Sequence, residues 1–113
     1  MNKIEEFNAY RSQMNEKMLA TDNKLLKRFF NLDTNAYTEG ELEVKTKELI
    51  ALACSMVLRC DDCVKYHIGK CKEIGMSNPQ IQEAMSIALL IGGSIVIPHL
   101  RRAYEYLEEF DKV

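Results

Sequence analysis

Cys60, Cys63 and His67 stand in the segment Cys60-Asp61-Asp62-Cys63-Val64-Lys65-Tyr66-His67. Two thiols two residues apart can close a small disulfide ring, and an imidazole four residues after the second can move protons at neutral pH. An α-helix turns about 100° per residue, so these three side chains fall within an arc of roughly 60° on one helix face. A thiol reacts as its thiolate, and the N-terminal end of a helix favours that anion. Both cysteines sit where such a helix should begin. Arg59 and Lys65 add positive charge there, while Asp61 and Asp62 oppose it. His67 neighbours Cys63 on the helix face, which makes Cys63 the better candidate for an activated nucleophile and leaves Cys60 as the resolving thiol. With a peroxide as oxidant, Cys63 would become a sulfenic acid and Cys60 would condense with it to a disulfide. An outside dithiol would then reset the pair.

A metal site is the rival chemistry, because Cys60, Cys63, His67 and Cys71 also read as Cys-x2-Cys-x3-His-x3-Cys. Structural zinc needs four ligands in a tetrahedron. Along one straight helix Cys60 and Cys71 are separated by roughly 16 Å at 1.5 Å rise per residue, so one ion cannot reach both. Zinc would need a ligand from elsewhere, such as His99 or a second subunit. The expectation is therefore no metal and no cofactor, with Cys54 and Cys71 as small buried hydrophobes.

The elements that must carry this segment read as all helix. No stretch alternates apolar and polar residues over strand length, and only two prolines and five glycines punctuate the chain. Ile4, Phe7, Tyr10, Met14 and Met18 place a helix from Lys3 to about Ala20, and a short one follows from Asn23 to Phe30. The polar run from Asn31 to Gly40 reads as a loop. Thr38-Glu39-Gly40-Glu41 has capping-box spacing and marks the start of a helix that ends near Leu58. From Leu49 to Leu58 only Ser55 is plainly polar, which implies burial in a core or between subunits. The cysteine helix spans Arg59 to Gly75, with Gly75 as its stop. Ser77-Asn78-Pro79-Gln80 opens a helix to about Ile91, Gly92-Gly93 breaks it, and a last helix ends near Phe110. Met85, Ala88, Leu89 and Gly92, with Ile95, Val96 and Ile97, form an apolar stripe expected to serve both core and subunit interface. Tyr104, Tyr106 and Phe110 read as packing, and His99 as a surface or helix-start residue.

At 113 residues the chain is long enough for one domain with a core, residues 1–113, and too short for two. A hydrophobic share of 47% argues against disorder, and a net charge of −2 leaves no basic footprint for nucleic acid. The longest apolar run, Ile87 to Pro98, is too short for a bilayer, and Met1-Asn2-Lys3-Ile4-Glu5-Glu6 lacks the apolar segment of a signal peptide. A cytoplasmic location follows as the expectation, and there a close cysteine pair is catalytic or metal-binding more often than a staple.

Glu48, eleven intervening residues, then Cys60-x-x-Cys63 and His67 resemble the redox motif of the alkylhydroperoxidase D-like (AhpD-like) branch of the carboxymuconolactone decarboxylase family. Gly75-Met76-Ser77-Asn78-Pro79-Gln80-Ile81 is similar to the turn and helix that follow it. The similarity covers roughly Glu41 to Leu107. It implies an all-α fold of about six helices that assembles as a homotrimer or homohexamer, and thiol-dependent peroxidase activity on a small-molecule peroxide; the alternatives are a thiol–disulfide redox or sensor module without significant peroxidase turnover and a non-redox protein like the family's decarboxylases. It also implies roles: Cys63 forms the sulfenic acid, Cys60 donates a proton and resolves, His67 passes protons through water, and Glu48 completes the relay. An external dithiol would be the reductant. Asp62 departs from the pattern, standing where peroxidase members carry an aromatic residue.

Overall fold

The computed structural model describes residues 2–112, and within them the chain is helix and turn without a strand. There are six α-helices: α1 (Lys3–Leu19), α2 (Lys24–Ala36), α3 (Val44–Val57), α4 (Asp61–Glu73), α5 (Asn78–Gly92) and α6 (Ile97–Asp111), with one 3-10 turn at Ser94–Val96 before α6. Helix α3 lies between α4 and α5, α6 packs on α4, and α1 lies against α6. The core is filled by Leu52 and Met56 of α3, Val64, Ile68 and Cys71 of α4, Ile81, Met85 and Ala88 of α5, and Ala103, Tyr106 and Leu107 of α6. None of the described helices is long and apolar enough to cross a membrane.

Local chemistry sets most helix starts. Asn2 accepts from Glu5 N–H at 2.8 Å to cap α1, and Asn23 accepts from Leu25 and Leu26 N–H to cap α2. Ser77 and Gln80 close the expected capping box of α5, with Pro79 in its first turn. Two expectations fail next to α2. The segment Asn31–Gly40 is not a loop throughout, because α2 continues to Ala36. Leu25, Phe29 and Leu32 prolong one helical stripe, while Thr34 turns its hydroxyl back to Phe30 C=O. Thr38 does not open α3 either. Its hydroxyl donates back to Asn35 C=O at 2.7 Å, and α3 starts at Val44. The end of α2 is held instead by Lys47 Nζ, which donates to Ala36 C=O and Thr38 C=O at 2.8 and 2.7 Å.

Of the apolar stripe along α5 and the turn after it, Met85, Ala88 and Val96 are buried in this chain's own core, Leu89, Gly92 and Ile97 are half-buried, and Ile95 is exposed. Outside that stripe Ile87, Leu90 and Ile91 of α5 are exposed too. On α3, Leu52, Ser55 and Met56 are buried, but Ile50, Cys54 and the C-cap Leu58 are exposed, so the helix is not buried all round. Cys54 is thus not the buried hydrophobe the sequence suggested, while Cys71 is. Tyr104, expected to pack, is exposed, and Tyr106 and Phe110 pack edge to face at 5.5 Å. Gly92 permits a close approach: a Cβ there would meet Val96 Cγ2 at 2.5 Å.

The turn between α3 and α4 positions the cysteines. Cys60 N–H donates to Ser55 C=O and Arg59 N–H to Met56 C=O, with Arg59 in the left-handed region at φ 60°. The end of α4 repeats this geometry with Met76 N–H on Cys71 C=O, Gly75 N–H on Lys72 C=O, and Gly75 at φ 86°. One left-handed cap uses glycine and the other a residue with a Cβ, at a cost of roughly 1 kcal/mol. Arg59→Gly is expected to raise unfolding stability by about 0.5–1 kcal/mol, and Gly75→Ala to lower it by about 1 kcal/mol. Urea unfolding of the two variants checks both signs. No atom lies within 4 Å of a Cβ at Gly75, so its loss measures backbone strain alone.

Candidate active site

Cys60 is the N-cap of α4, with extended backbone dihedrals and its Sγ accepting from Cys63 N–H at 3.2 Å. The α4 residues Cys63 and His67 then follow at one-turn spacing. Cys60 and Cys63 are joined by a disulfide, with Cα atoms 5.3 Å apart. Cys63 is exposed and Cys60 half-buried. In the reduced protein the same position would set both thiols against the unpaired N–H groups of the first turn, which favour thiolate.

His67 lies one turn deeper, where it is buried. Its Nδ1 is 2.8 Å from Glu48 Oε1, across the α3–α4 contact, and Glu48 is buried as well. A carboxylate accepts, so Nδ1 carries the proton and Nε2 is the ring nitrogen left for exchange with a third group. Each of these polar groups satisfies the other, which is what makes their burial tolerable. The structure therefore brings Glu48 and His67 into contact, and Cys60 and Cys63 into a bond. Among the described residues no hydrogen bond links the imidazole to either sulfur of the disulfide.

Two side chains that the sequence reading did not assign to the site complete it. Tyr37 and Tyr66 lie against the imidazole, at centroid distances of 5.6 and 5.1 Å. Tyr66 is next to His67 on α4; Tyr37 arrives through the end of α2, which Lys47 holds. Burial, with the negative charges of Asp33 and Glu48, pushes the Tyr37 phenol above its usual range, so it stays a neutral donor. A cavity of about 360 Å³ opens beside the pair, lined by Tyr37, Glu48, Tyr66 and Lys70 among others. The guanidinium of Arg11 covers the Tyr66 ring at 4.0 Å, fixing it from the side of α1.

Asp61, expected only to oppose a thiolate, is engaged by α6. Its Oδ1 lies 2.8 Å from His99 Nδ1 and its Oδ2 accepts from Arg102 Nε at 2.8 Å. Burial would raise this carboxyl, but the hydrogen bonds from His99 and Arg102 outweigh it and hold it below the usual range. His99 stands in the first turn of α6, as one of its two expected placements has it, and is there a partly buried partner of Asp61. Among the described residues no three His, Cys, Asp or Glu side chains are grouped to hold a metal ion, and Cys71 points into the core. Burial, with the charge of Glu48 nearby, pushes the Cys71 thiol up to about 12. In native reduced protein at pH 8, iodoacetamide should label Cys54 and leave Cys71 intact until the chain is unfolded. Peptide mass spectrometry reads this, and prompt native labelling of Cys71 would contradict the packing.

The profile of the carboxymuconolactone decarboxylase family matches residues 23–106, which begins well before the stretch in which the sequence shows the resemblance. A crystal structure of a Thermotoga maritima protein is 53% identical, covers 95% of this chain and 94% of its own, and superposes with a TM-score of 0.91. A second structure of that protein is 52% identical, covers 95% and 91%, and has a TM-score of 0.89; it is described as a carboxymuconolactone decarboxylase family protein for which involvement in antioxidative response has been suggested. A Legionella pneumophila protein of the same family is 26% identical over 99% of this chain and 97% of its own, with a TM-score of 0.72. A Paracoccus denitrificans protein from the cox locus is 31% identical over 83 residues, 74% of this chain and 75% of its own.

Proposed function

The chain belongs to the carboxymuconolactone decarboxylase family, and from that premise we propose that it is an AhpD-like thiol-dependent peroxidase. The observation that carries this reading is the buried Glu48–His67 pair, one helical turn from Cys63 of a Cys60–Cys63 disulfide. A buried imidazole fixed by a carboxylate is an expensive feature for a small core. It is also what proton transfer to and from a thiol requires.

The reaction runs as follows. Cys63 thiolate attacks one oxygen of the hydroperoxide; an S–O bond forms, the O–O bond breaks, and the alkoxide leaves as alcohol with a proton passed by His67 through water. Cys63 is then a sulfenic acid. Cys60 attacks its sulfur, the S–S bond forms, and hydroxide leaves as water with the Cys60 proton. The chain has lost two electrons, which an external dithiol returns by exchange at the disulfide. Glu48 holds the His67 tautomer and balances the imidazolium while it lasts. The exposure of Cys63 supports access for peroxide and reductant alike, in a reducing, cytoplasmic compartment.

The proposal includes a homotrimer or homohexamer. Leu25, Phe29 and Leu32 of α2, with Leu90 and Ile91 of α5, are each at least 65% exposed in the single chain, apolar side chains that a subunit interface would cover.

Reduced protein is mixed with a small excess of an organic hydroperoxide and its free thiols are counted. The parent should lose two of its four thiols, and Cys63→Ser should lose none through this route. Thiols that persist in the parent, or peroxide consumption that survives in the variant, would overturn the mechanism.

A further inference from the structure

Asp61 directly follows Cys60 and is the first residue of α4, so its carboxylate stands at the helix end where the thiolates must form. Negative charge there disfavours a second anion. Both of its oxygens are occupied by α6, with His99 Nδ1 on one and Arg102 Nε on the other, each at 2.8 Å. The bonds span 38 and 41 residues of chain, and the His99 and Asp61 side chains are only 18% and 35% exposed. Asp62, its neighbour, is exposed and has no ion pair among the described residues. The chain thus pairs the acid that follows Cys60 in sequence and leaves the next one in solvent.

We infer that Asp61, His99 and Arg102 form a clamp that sets the reactivity of the Cys60–Cys63 pair. The three are positioning residues: none needs to touch peroxide. The clamp holds the first turn of α4 against the start of α6 and cancels the carboxylate that would otherwise raise the thiol pKa. Its guanidinium stays charged at every working pH, so the cancellation does not depend on His99 being protonated. Other charged groups near this helix end are Asp62 and Lys65 of α4, Arg59 of the preceding turn, Lys3 and Glu6 of α1 and Glu105 of α6. Of these, Lys3, Glu6, Asp62, Lys65 and Glu105 line one recess of about 480 Å³ together with Arg102. The inference rests on the redox reading of the cysteine pair, but not on peroxide being its oxidant.

The test uses full-length reduced protein without peroxide. Thiolate absorbance near 240 nm is followed against pH, and the disulfide is equilibrated with reduced and oxidised dithiothreitol. Arg102→Gln should raise the lower thiol pKa by roughly half a unit, since it leaves Asp61 short of its permanent counter-charge. The dithiothreitol equilibrium should move about threefold toward the protein disulfide, because a less stable thiolate makes a weaker oxidant. Asp61→Asn should shift the pKa the opposite way, and the double variant should return toward the parent. Arg101→Gln, which removes an equal charge from the adjacent exposed position, should leave both readings unchanged. Equal shifts in Arg101→Gln and Arg102→Gln would overturn the clamp, as would shifts of the same sign in Arg102→Gln and Asp61→Asn, or no shift in either. Should Arg102→Gln fail to fold, Arg102→Met, which keeps the apolar stem and removes the same charge, is read in its place against the same outcomes. A parent disulfide that dithiothreitol cannot cycle would sink the redox reading itself; a cycling parent with unresponsive variants would sink only the clamp.

Discussion

The contact between Glu48 and His67 constrains everything around it. Two ionisable groups are buried within a thin core, and each is tolerable only because the other accepts or donates its hydrogen bond. Removing one partner would leave the other buried and unpaired, at a cost of about 3 kcal/mol or more. The pair therefore fixes the register of α3 against α4, and with it the height of the cysteines above the core. Leu52 and Met56 on one side and Val64 and Ile68 on the other fill the same contact, so packing and polar pairing enforce one alignment. Tyr37 and Tyr66 then cover the imidazole, and the end of α2 is carried to it by Lys47.

A second constraint acts where α4 begins. The chain must leave α3, turn sharply and present Cys60 as an N-cap. Arg59 in a left-handed conformation makes that turn, and Asp61 ties the new helix to α6. The groups around the cysteines thus come from three helices: the start of α4 carries the thiols and the imidazole, α3 the carboxylate, and α6 the counter-charges on Asp61. Function here is a matter of how helices meet, since no single one of them carries the full set.

The parts of this arrangement that lie along one helix were legible in the sequence. Cys60, Cys63 and His67 share a face through helical spacing alone, and the all-helical fold and the Ser77–Gln80 cap follow from equally local signals. Glu48 was named only through family resemblance, because its meeting with His67 depends on helix register that spacing does not reveal. The Asp61–His99–Arg102 cluster joins residues about forty apart, and nothing local marks it. The length of α2 stays hidden in the sequence because Asn31, Asp33, Thr34 and Asn35 crowd its last turns with residues typical of loops, and the stripe of Leu25, Phe29 and Leu32 that runs through them is itself exposed in the single chain. Cys54 was misread because an apolar helix such as α3 shows no polar face to reveal which side is open. The turn at Arg59 stayed hidden because the usual glycine is absent there, though the same turn was read correctly at Gly75.

On the proposed mechanism the buried Glu48–His67 pair drives oxidation of the thiols by moving protons, over and above holding two helices together. The most direct measurement is the single-turnover rate at which an organic hydroperoxide oxidises the reduced protein, compared with the rate for diamide, an oxidant that needs no departing alkoxide to be protonated. For Glu48→Gln, which retains the shape and a hydrogen bond to His67, the account predicts a fall of about tenfold or more with hydroperoxide and little change with diamide. Equal slowing with both oxidants, or none with hydroperoxide, would contradict it and reduce the pair to a structural bridge.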